Sequence, residues 1–343
     1  MAHRPTWAEV DLGAVAANTR ALLRPSTQLM AVVKADGYGH GAIPVAKAAL
    51  AAGATWLGVA ICEEALALRA AGITAPILVM GWTPPDQAVQ AVAADIDLTV
   101  FSLEDAAAYG PARLHVKVDT GMSRLGFSAA EAPAAVAKIA ALPGVQVQGI
   151  FTHFAGSDED DLTGARRQLN AFRRVLEALP VRPPIVHAAN TAALLRLPEA
   201  HFDLCRAGIG LYGYGGPGLR PALRWLTRIA QVRTLPAGAG VSYNWTYVTT
   251  EQERLATLPV GYADGFPRIL SNRGTVRVAG RDAPIRGRVC MDQMVVSALE
   301  GEPGDVVALV GEHQWADDLA AQAGTIPYEI LCRIGPRVPR IYL

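Results

Sequence analysis

The sequence predicts an α/β chain: a (β/α)8 barrel of the TIM type followed by a mostly-β C-terminal domain. Three observations lead there. Short apolar runs alternate with longer Ala-rich amphipathic stretches from about residue 12 to 213, the pattern of repeated βα units around a parallel sheet. The apolar runs number eight, which is the count that closes a barrel. At Gly208–Trp225 the text "GIGLYGYGGPGLRPALRW" loses helical periodicity and clusters Gly with Pro, which sets a boundary between residues 1–220 and 221–343. A length of 343 residues suits a barrel of about 250 residues with a smaller companion.

The eight strands are expected near 29–33, 56–60, 76–80, 97–101, 114–118, 147–152, 184–187 and 203–206. Each is a short aliphatic or β-branched run, too brief for a helix, and polar residues repeatedly follow its end. Beyond the boundary, "LTRIAQVRTL", "RLATLPV", "GTVRVAG", "PIRGRV", "MVVSAL" and "DVVALV" read as short strands separated by Gly, Pro and Asp turns, with one helix around "WADDLAAQAG".

Composition narrows the function. Lys plus Arg equals Asp plus Glu at 31 each, so no net field recommends nucleic acid or an anionic membrane as partner. The start, "MAHRPTWAEVDLG", lacks the apolar core of a signal peptide, and no apolar run of about 18 residues follows. A cytoplasmic protein with a small-molecule ligand is expected. Cys62, Cys205, Cys290 and Cys332 lie far apart and form no CxxC pair, against a zinc knuckle or a disulfide framework.

The stretch "LMAVVKADGYGHG" ends a buried strand in Lys34, in a chain with only four lysines among its 31 basic residues. An ammonium at the mouth of an apolar strand is costly unless it is paired or gives up its proton, and deprotonation makes it a nucleophile. Barrel active sites gather at the C-terminal ends of the strands. Those ends supply Lys34, then Lys117 and Asp119 in "HVKVDTGMSRLGF", His153 in "GIFTHFAG", Asn190 and Thr191 in "HAANTAA", and Arg206 with Gly208 and Ile209 in "CRAGIG". The last two groups cover the loops where such barrels dock a phosphate, with backbone N–H, hydroxyl and amide donors. A phosphate-bearing cofactor that needs a lysine imine and a charged partner at its ring nitrogen is pyridoxal 5'-phosphate.

Two decoys fail. "GIGLYG" spells a dinucleotide turn, but no helix pattern follows and the position some twenty residues on is Arg233. His115, His153 and His187 come from different strands with no carboxylate or cysteine cluster to complete a metal set, so no metal is expected. In the second domain "VSYNWTY", "LPVGYADGFPR", "GRVCMDQM" and "TIPYEILCRI" carry a dense set of polar and aromatic residues.

These segments, in order and over almost the whole chain, resemble the alanine racemase family. The resemblance implies an isomerase that interconverts L- and D-alanine through an imine of the substrate with pyridoxal phosphate, by two bases. It implies a homodimer whose sites are completed by the partner's β domain, and a role in supplying D-alanine as a peptidoglycan precursor. Residue by residue, it implies that Lys34 holds the cofactor and moves the proton on the D face, with Tyr243 from the other subunit on the L face. His153 matches the histidine bonded to that tyrosine, and Arg206 the arginine at the pyridine nitrogen. Tyr38 and Tyr328 match phosphate contacts, beside Asn190, Thr191, Gly208 and Ile209. Arg124 and Met291 match the substrate carboxylate site, with Lys117, often carbamylated in the family, and Asp292 nearby. Tyr262, Asp158, Arg268, Arg288 and Ile326 match the corridor through which substrate arrives.

The chain departs from the family pattern at Ala207 and Asn244, commonly Pro and Gly, and at Thr191, commonly Ser. Three alternatives stand beside this reading. They are a pyridoxal phosphate racemase of broader range or acting on serine, a non-catalytic pyridoxal phosphate carrier, and a decarboxylase of related architecture. The second domain weighs against the carrier, and Arg206 in place of an acidic ring partner weighs against the decarboxylase.

Overall fold

A computed structural model describes residues 4–343. Eight parallel strands form the barrel sheet, in the order Leu204–Ala207, Gln28–Val32, Trp56–Val59, Ile77–Val79, Asp97–Val100, Arg113–Asp119, Gln146–Phe151 and Ile185–His187. A two-residue strand, Phe127–Ser128, adds to the edge of Arg113–Asp119. The remaining seam is bridged by backbone hydrogen bonds, Asp203 N–H to Val186 O at 3.0 Å and Arg206 N–H to Ala189 O at 2.9 Å. The sheet is a nearly closed (β/α)8 barrel, as the alternation of apolar runs predicts. Its strands are buried on both faces, which is why they read as continuous apolar runs rather than alternating ones. Helices such as Thr163–Glu177 cover the outside and bury Ala165, Leu169, Phe172 and Val175 from one stripe.

The chain divides into two compact units. One comprises Gly13–Gly37 and Ala42–Arg220; the other comprises the segment up to Leu12, Tyr38–Gly41 and Pro221–Leu343. The second unit is mostly β. Its six-stranded sheet runs Arg281–Pro284, Thr275–Val278, Val306–Val310, Leu223–Arg228, Thr6–Val10 and Arg340–Tyr342. Thr6–Val10 lies next to the edge, antiparallel to Leu223–Arg228 and parallel to the edge strand Arg340–Tyr342, so these early residues pair with the last strand. A three-stranded sheet of Gln231–Leu235, Glu253–Leu258 and Met294–Ser297 completes the layer. Two helices occur where the sequence predicts one. Ala316–Ala323 is the expected helix, and Pro327–Arg333 is the second, started by Pro at its first position. No described helix is long and apolar enough to cross a membrane.

Candidate active site

Lys34 stands two residues beyond the end of the strand Gln28–Val32, after Val33, and is half-buried. After it the backbone enters the left-handed region and stays there, with φ 52° at Ala35, 51° at Asp36, 61° at Gly37 and 52° at Tyr38. Only glycine adopts this freely; each of the other residues costs on the order of 1–2 kcal/mol. Two carboxylates hold the turn. Glu64 Oε1 accepts the Ala35 N–H at 2.6 Å while its Oε2 accepts the Ala60 N–H at 2.8 Å. Asp36 Oδ1 accepts the Ala42 N–H at 2.8 Å.

Arg206, on the last barrel strand, is 3% exposed. Its Nη2 shares two hydrogens among three acceptors, the carbonyls of Thr152 and Ala188, both at 2.9 Å, and His153 Nδ1 at 3.1 Å; its Nη1 donates to His187 Nδ1 at 3.0 Å. All four partners are uncharged acceptors. Burial lowers the Arg206 pKa to about 10, which leaves it a cation at neutral pH. Its Nε–H and second Nη1–H have no partner among the described residues. His153 is pushed down to about 2 by burial and then by the Arg206 charge, so it is neutral. Because a guanidinium only donates, His153 Nδ1 accepts and its proton sits on Nε2.

Lys117 is 7% exposed, with Nζ 4.5 Å from the centre of the Phe151 ring. Burial, then Arg206 and Arg124, hold its ammonium well below the ordinary lysine range, with Asp119 opposing them. The Asp119 carboxylate is committed elsewhere: its Oδ1 accepts N–H groups of Gly121 at 2.9 Å and Ser123 at 3.0 Å. Among the described residues Lys117 makes no ion pair with it. Arg124 is exposed in the loop that follows.

The two loops expected to face a phosphate meet at Thr191. Its Oγ1 accepts the Gly208 N–H at 3.0 Å and the Gly210 N–H at 3.3 Å. A Cβ at position 210 would lie 2.7 Å from the Thr191 methyl, so only glycine lets the chain pass this close. Ile209 begins the one-turn helix Ile209–Tyr212. Asn190 uses its Oδ1 to cap Thr191–Arg196, accepting from Ala193 N–H at 3.0 Å and Ser157 Oγ at 2.8 Å. It therefore offers a phosphate only its amide N–H groups. Asp158 is exposed, in a loop gripped by Arg196, whose Nη1 donates to the carbonyls of Asp158 and Glu159 at 3.0 and 2.8 Å.

The remaining residues lie in the β-rich unit. Tyr243, Met291 and Asp292 line one cleft of about 510 Å³ with Ser242, Cys290 and Gln293. Tyr243, Tyr262, Arg268 and Arg288 line another of about 240 Å³. Tyr243 is 68% exposed. Asp292 pairs with Arg337 at 2.6 Å. Ile326 immediately precedes Pro327–Arg333, and the Tyr328 ring in that helix lies 6.0 Å from the ring of Tyr38.

Residues 10–216 match the family model for the alanine racemase N-terminal domain, and residues 222–342 match that for the C-terminal domain. The chain belongs to the alanine racemase family. An alanine racemase of Symbiobacterium thermophilum is 49% identical over 99% of this chain and 97% of its own length, and one of Desulfovibrio desulfuricans is 46% identical over 99% and 98%. The crystal structure of alanine racemase from the D-cycloserine producer Streptomyces lavendulae superposes with a TM-score of 0.93 at 46% identity, covering 100% of this chain and 98% of that one. That from Bartonella henselae, described with covalently bound pyridoxal phosphate, gives a TM-score of 0.92 at 33% identity, covering 99% of both chains.

Within this racemase fold the departure at Asn244 has a local explanation. Asn244 has φ 61°, in the left-handed region where Asn is the best tolerated residue after Gly. The turn is kept with a different side chain. Two supporting residues escaped the sequence reading. Glu64 is one; its signal is a carboxylate three residues after Ile61, placed to cap the helix Cys62–Ala70. Gln168 is the other. Its Nε2 donates to the His153 carbonyl at 3.1 Å and its Oε1 accepts the Ala155 N–H at 2.9 Å, but a glutamine in the middle of an amphipathic helix announces nothing.

Proposed function

We propose that this chain interconverts L- and D-alanine with pyridoxal 5'-phosphate held at the barrel mouth, as a homodimer whose sites are each completed by the partner's β-rich domain. Arg206 carries the reading: a buried guanidinium, surrounded by uncharged acceptors, retains two N–H donors without protein partners. Those donors suit a ring nitrogen. With the Lys34 amine, the Thr191 hydroxyl and the Ile209 backbone the donor set fits the cofactor, while Gly208, whose N–H goes to Thr191 Oγ1, shapes the cradle. Bound there, the cofactor supplies an aldehyde that condenses with amines and a conjugated ring that acidifies the substrate Cα–H.

The chain's own residues do the rest. Racemisation requires a proton to leave one face of Cα and return on the other, so two bases must flank it. Lys34 Nζ serves the D face, and Tyr243 of the partner subunit serves the L face. A tyrosine titrates near 10 and needs help to act as a base. The Nε2–H of His153 supplies it by donating to the phenolate oxygen. Arg206 remains protonated and gives the ring a hydrogen bond without a proton, which moderates electron withdrawal and favours return of the proton to Cα. Arg124, by its side chain, and Met291 of the partner, by its backbone, hold the substrate carboxylate, with Lys117 and the partner's Asp292 orienting them. Tyr38 and Tyr328 close on the phosphate. Asp158, Tyr262, Arg268, Arg288 and Ile326 narrow the approach to small amino acids.

The test is borohydride trapping with peptide mapping, paired with D-alanine formation from L-alanine and L-serine by wild type, Lys34→Ala and Tyr243→Phe. The label is expected on Lys34, with L-alanine preferred and both variants losing racemisation. A label elsewhere, or full racemisation in both variants, overturns the assignment.

A further inference from the structure

Asp97 and His115 are fully buried in the barrel, and the chemistry above makes no use of them. Asp97 opens the strand Asp97–Val100, and His115 is the third residue of Arg113–Asp119. They belong to a continuous chain of polar contacts. Arg206 Nη1 lies 3.0 Å from His187 Nδ1, His187 Nε2 lies 2.9 Å from His115 Nδ1, and His115 Nε2 lies 3.3 Å from Asp97 Oδ2. Asp97 Oδ1 accepts from Arg113 Nε at 2.7 Å, at the start of the neighbouring strand.

Both ends of this chain have fixed roles, because a guanidinium only donates and a carboxylate only accepts. Between them one assignment satisfies every contact with neutral imidazoles: Nδ1 bare and Nε2 protonated on His187 and again on His115. The hydrogen bonds then all point from Arg206 toward Asp97. The rings are also clamped. His187 stacks on Phe151 with centroids 4.5 Å apart and planes 8° from parallel, and His115 meets Trp56 edge-on at 5.5 Å. Gly149 leaves the space for His115, since a Cβ there would collide with its Nδ1. Packing alone would not call for a carboxylate at the inner end, whose desolvation is costly, nor for a hydrogen at position 149.

We propose that Asp97 and His115 are positioning residues for Arg206: through His187 they fix the tautomer that accepts from the guanidinium, and so fix its orientation as a donor. This rests on the reading of Arg206 as the partner of the cofactor ring. If His187 turned a protonated Nδ1 toward Arg206, two donors would face each other and the guanidinium would have to move. Asp97→Asn is the sharp probe. Its single oxygen goes to the cation of Arg113, which leaves its NH2 facing His115 and favours the reversed tautomer in both rings.

The experiment is nitrogen-15 NMR of histidine side chains in the holoenzyme, with kinetics on alanine. Wild type is expected to show His115 and His187 neutral with the proton on Nε2. Asp97→Asn is expected to move that proton to Nδ1 and to lower kcat by about tenfold or more, with KM within about twofold. Gly149→Ala keeps every polar group but displaces the His115 ring, and is expected to lower kcat in the same way while thermal melting reports an intact fold. It decides the matter if Asp97→Asn fails to fold. An Nδ1 proton on either ring in wild type overturns the proposal, as do unchanged tautomers and kcat in the folded variants. Tautomers as expected in a wild-type protein that does not racemise alanine would instead overturn the proposed function and leave the hydrogen-bond chain standing.

Discussion

Arg206 Nη2 donates to His153 Nδ1 at 3.1 Å, and the Arg206 cation is the largest influence after burial on how that imidazole titrates. That contact sets the proton position on His153 and, after burial, contributes most to keeping the ring neutral. Removing the cation should free the proton position and weaken, without abolishing, the depression of the pKa. Arg206→Gln is expected to raise the His153 pKa from about 2 toward the ordinary value, and to lower kcat by about a hundredfold or more through loss of a pre-oriented charge. Side-chain NMR titration and steady-state kinetics check this; an unmoved His153 titration in a folded variant would contradict it.

Acid should destabilise the barrel before most carboxylates titrate. His153 is held at about 2 and His187 well below the ordinary value, in both cases by burial first. Unfolded, each titrates near 6.5. Below that pH the unfolded chain binds protons that the folded one does not, so this contribution is complete above about pH 6.5 and is lost as pH falls toward the folded values. Each imidazole adds at most about 1.4 kcal/mol per pH unit. Urea unfolding between pH 7.5 and 5 should show falling stability, with a shallower slope in His153→Gln. Equal slopes in the two proteins would remove His153 from the account.

The barrel was legible because its buried parallel strands are unbroken apolar runs punctuated by chemistry at their ends, as at Val33 and Lys34. The strand Thr6–Val10 was not, because "TWAEV" is short and its partners lie over two hundred residues away at Leu223–Arg228 and Arg340–Tyr342. The helix Pro327–Arg333 was hidden by its length of seven residues. Lys34, Arg206 and Thr191 could be selected from strand-end position and residue chemistry. The roles of His115 and Asp97 could not, because a hydrogen-bond direction depends on which ring nitrogen faces which neighbour.

Glu64 should matter to the lysine turn out of proportion to its distance along the chain. Its two oxygens take N–H groups from the ends of neighbouring strand turns, at Ala35 and Ala60. Glu64→Gln keeps the shape but turns an NH2 toward one of those donors. Losing one bond at these partly solvated N–H groups costs about 0.5–1.5 kcal/mol, comparable with the strain at a single left-handed residue. The urea midpoint should fall accordingly, and borohydride labelling of Lys34 should slow. Glu64→Ala should be no better, because it leaves both N–H groups unmet. A Gln variant as stable as wild type would show that the turn holds itself.

Lys117 should take up carbon dioxide. Its amine is buried and held well below the ordinary range by burial, then by Arg206 and Arg124, which raises the share of nucleophilic neutral amine. Attack of the nitrogen lone pair on carbon dioxide forms an N–C bond and releases one proton, and the resulting carbamate carries a negative charge. The same two arginines that disfavour an ammonium favour that anion, and the Asp119 carboxylate is occupied by backbone N–H groups rather than by the lysine. The anion would in turn restrain the exposed Arg124 as a receptor for the substrate carboxylate. Native mass spectrometry should show an added carbon dioxide on wild type that is lost on acid denaturation and absent from Lys117→Arg, which should also raise KM for alanine more than it lowers kcat. An unmodified native mass in bicarbonate-saturated buffer would rule the carbamate out and leave an unmodified amine beside the Phe151 ring.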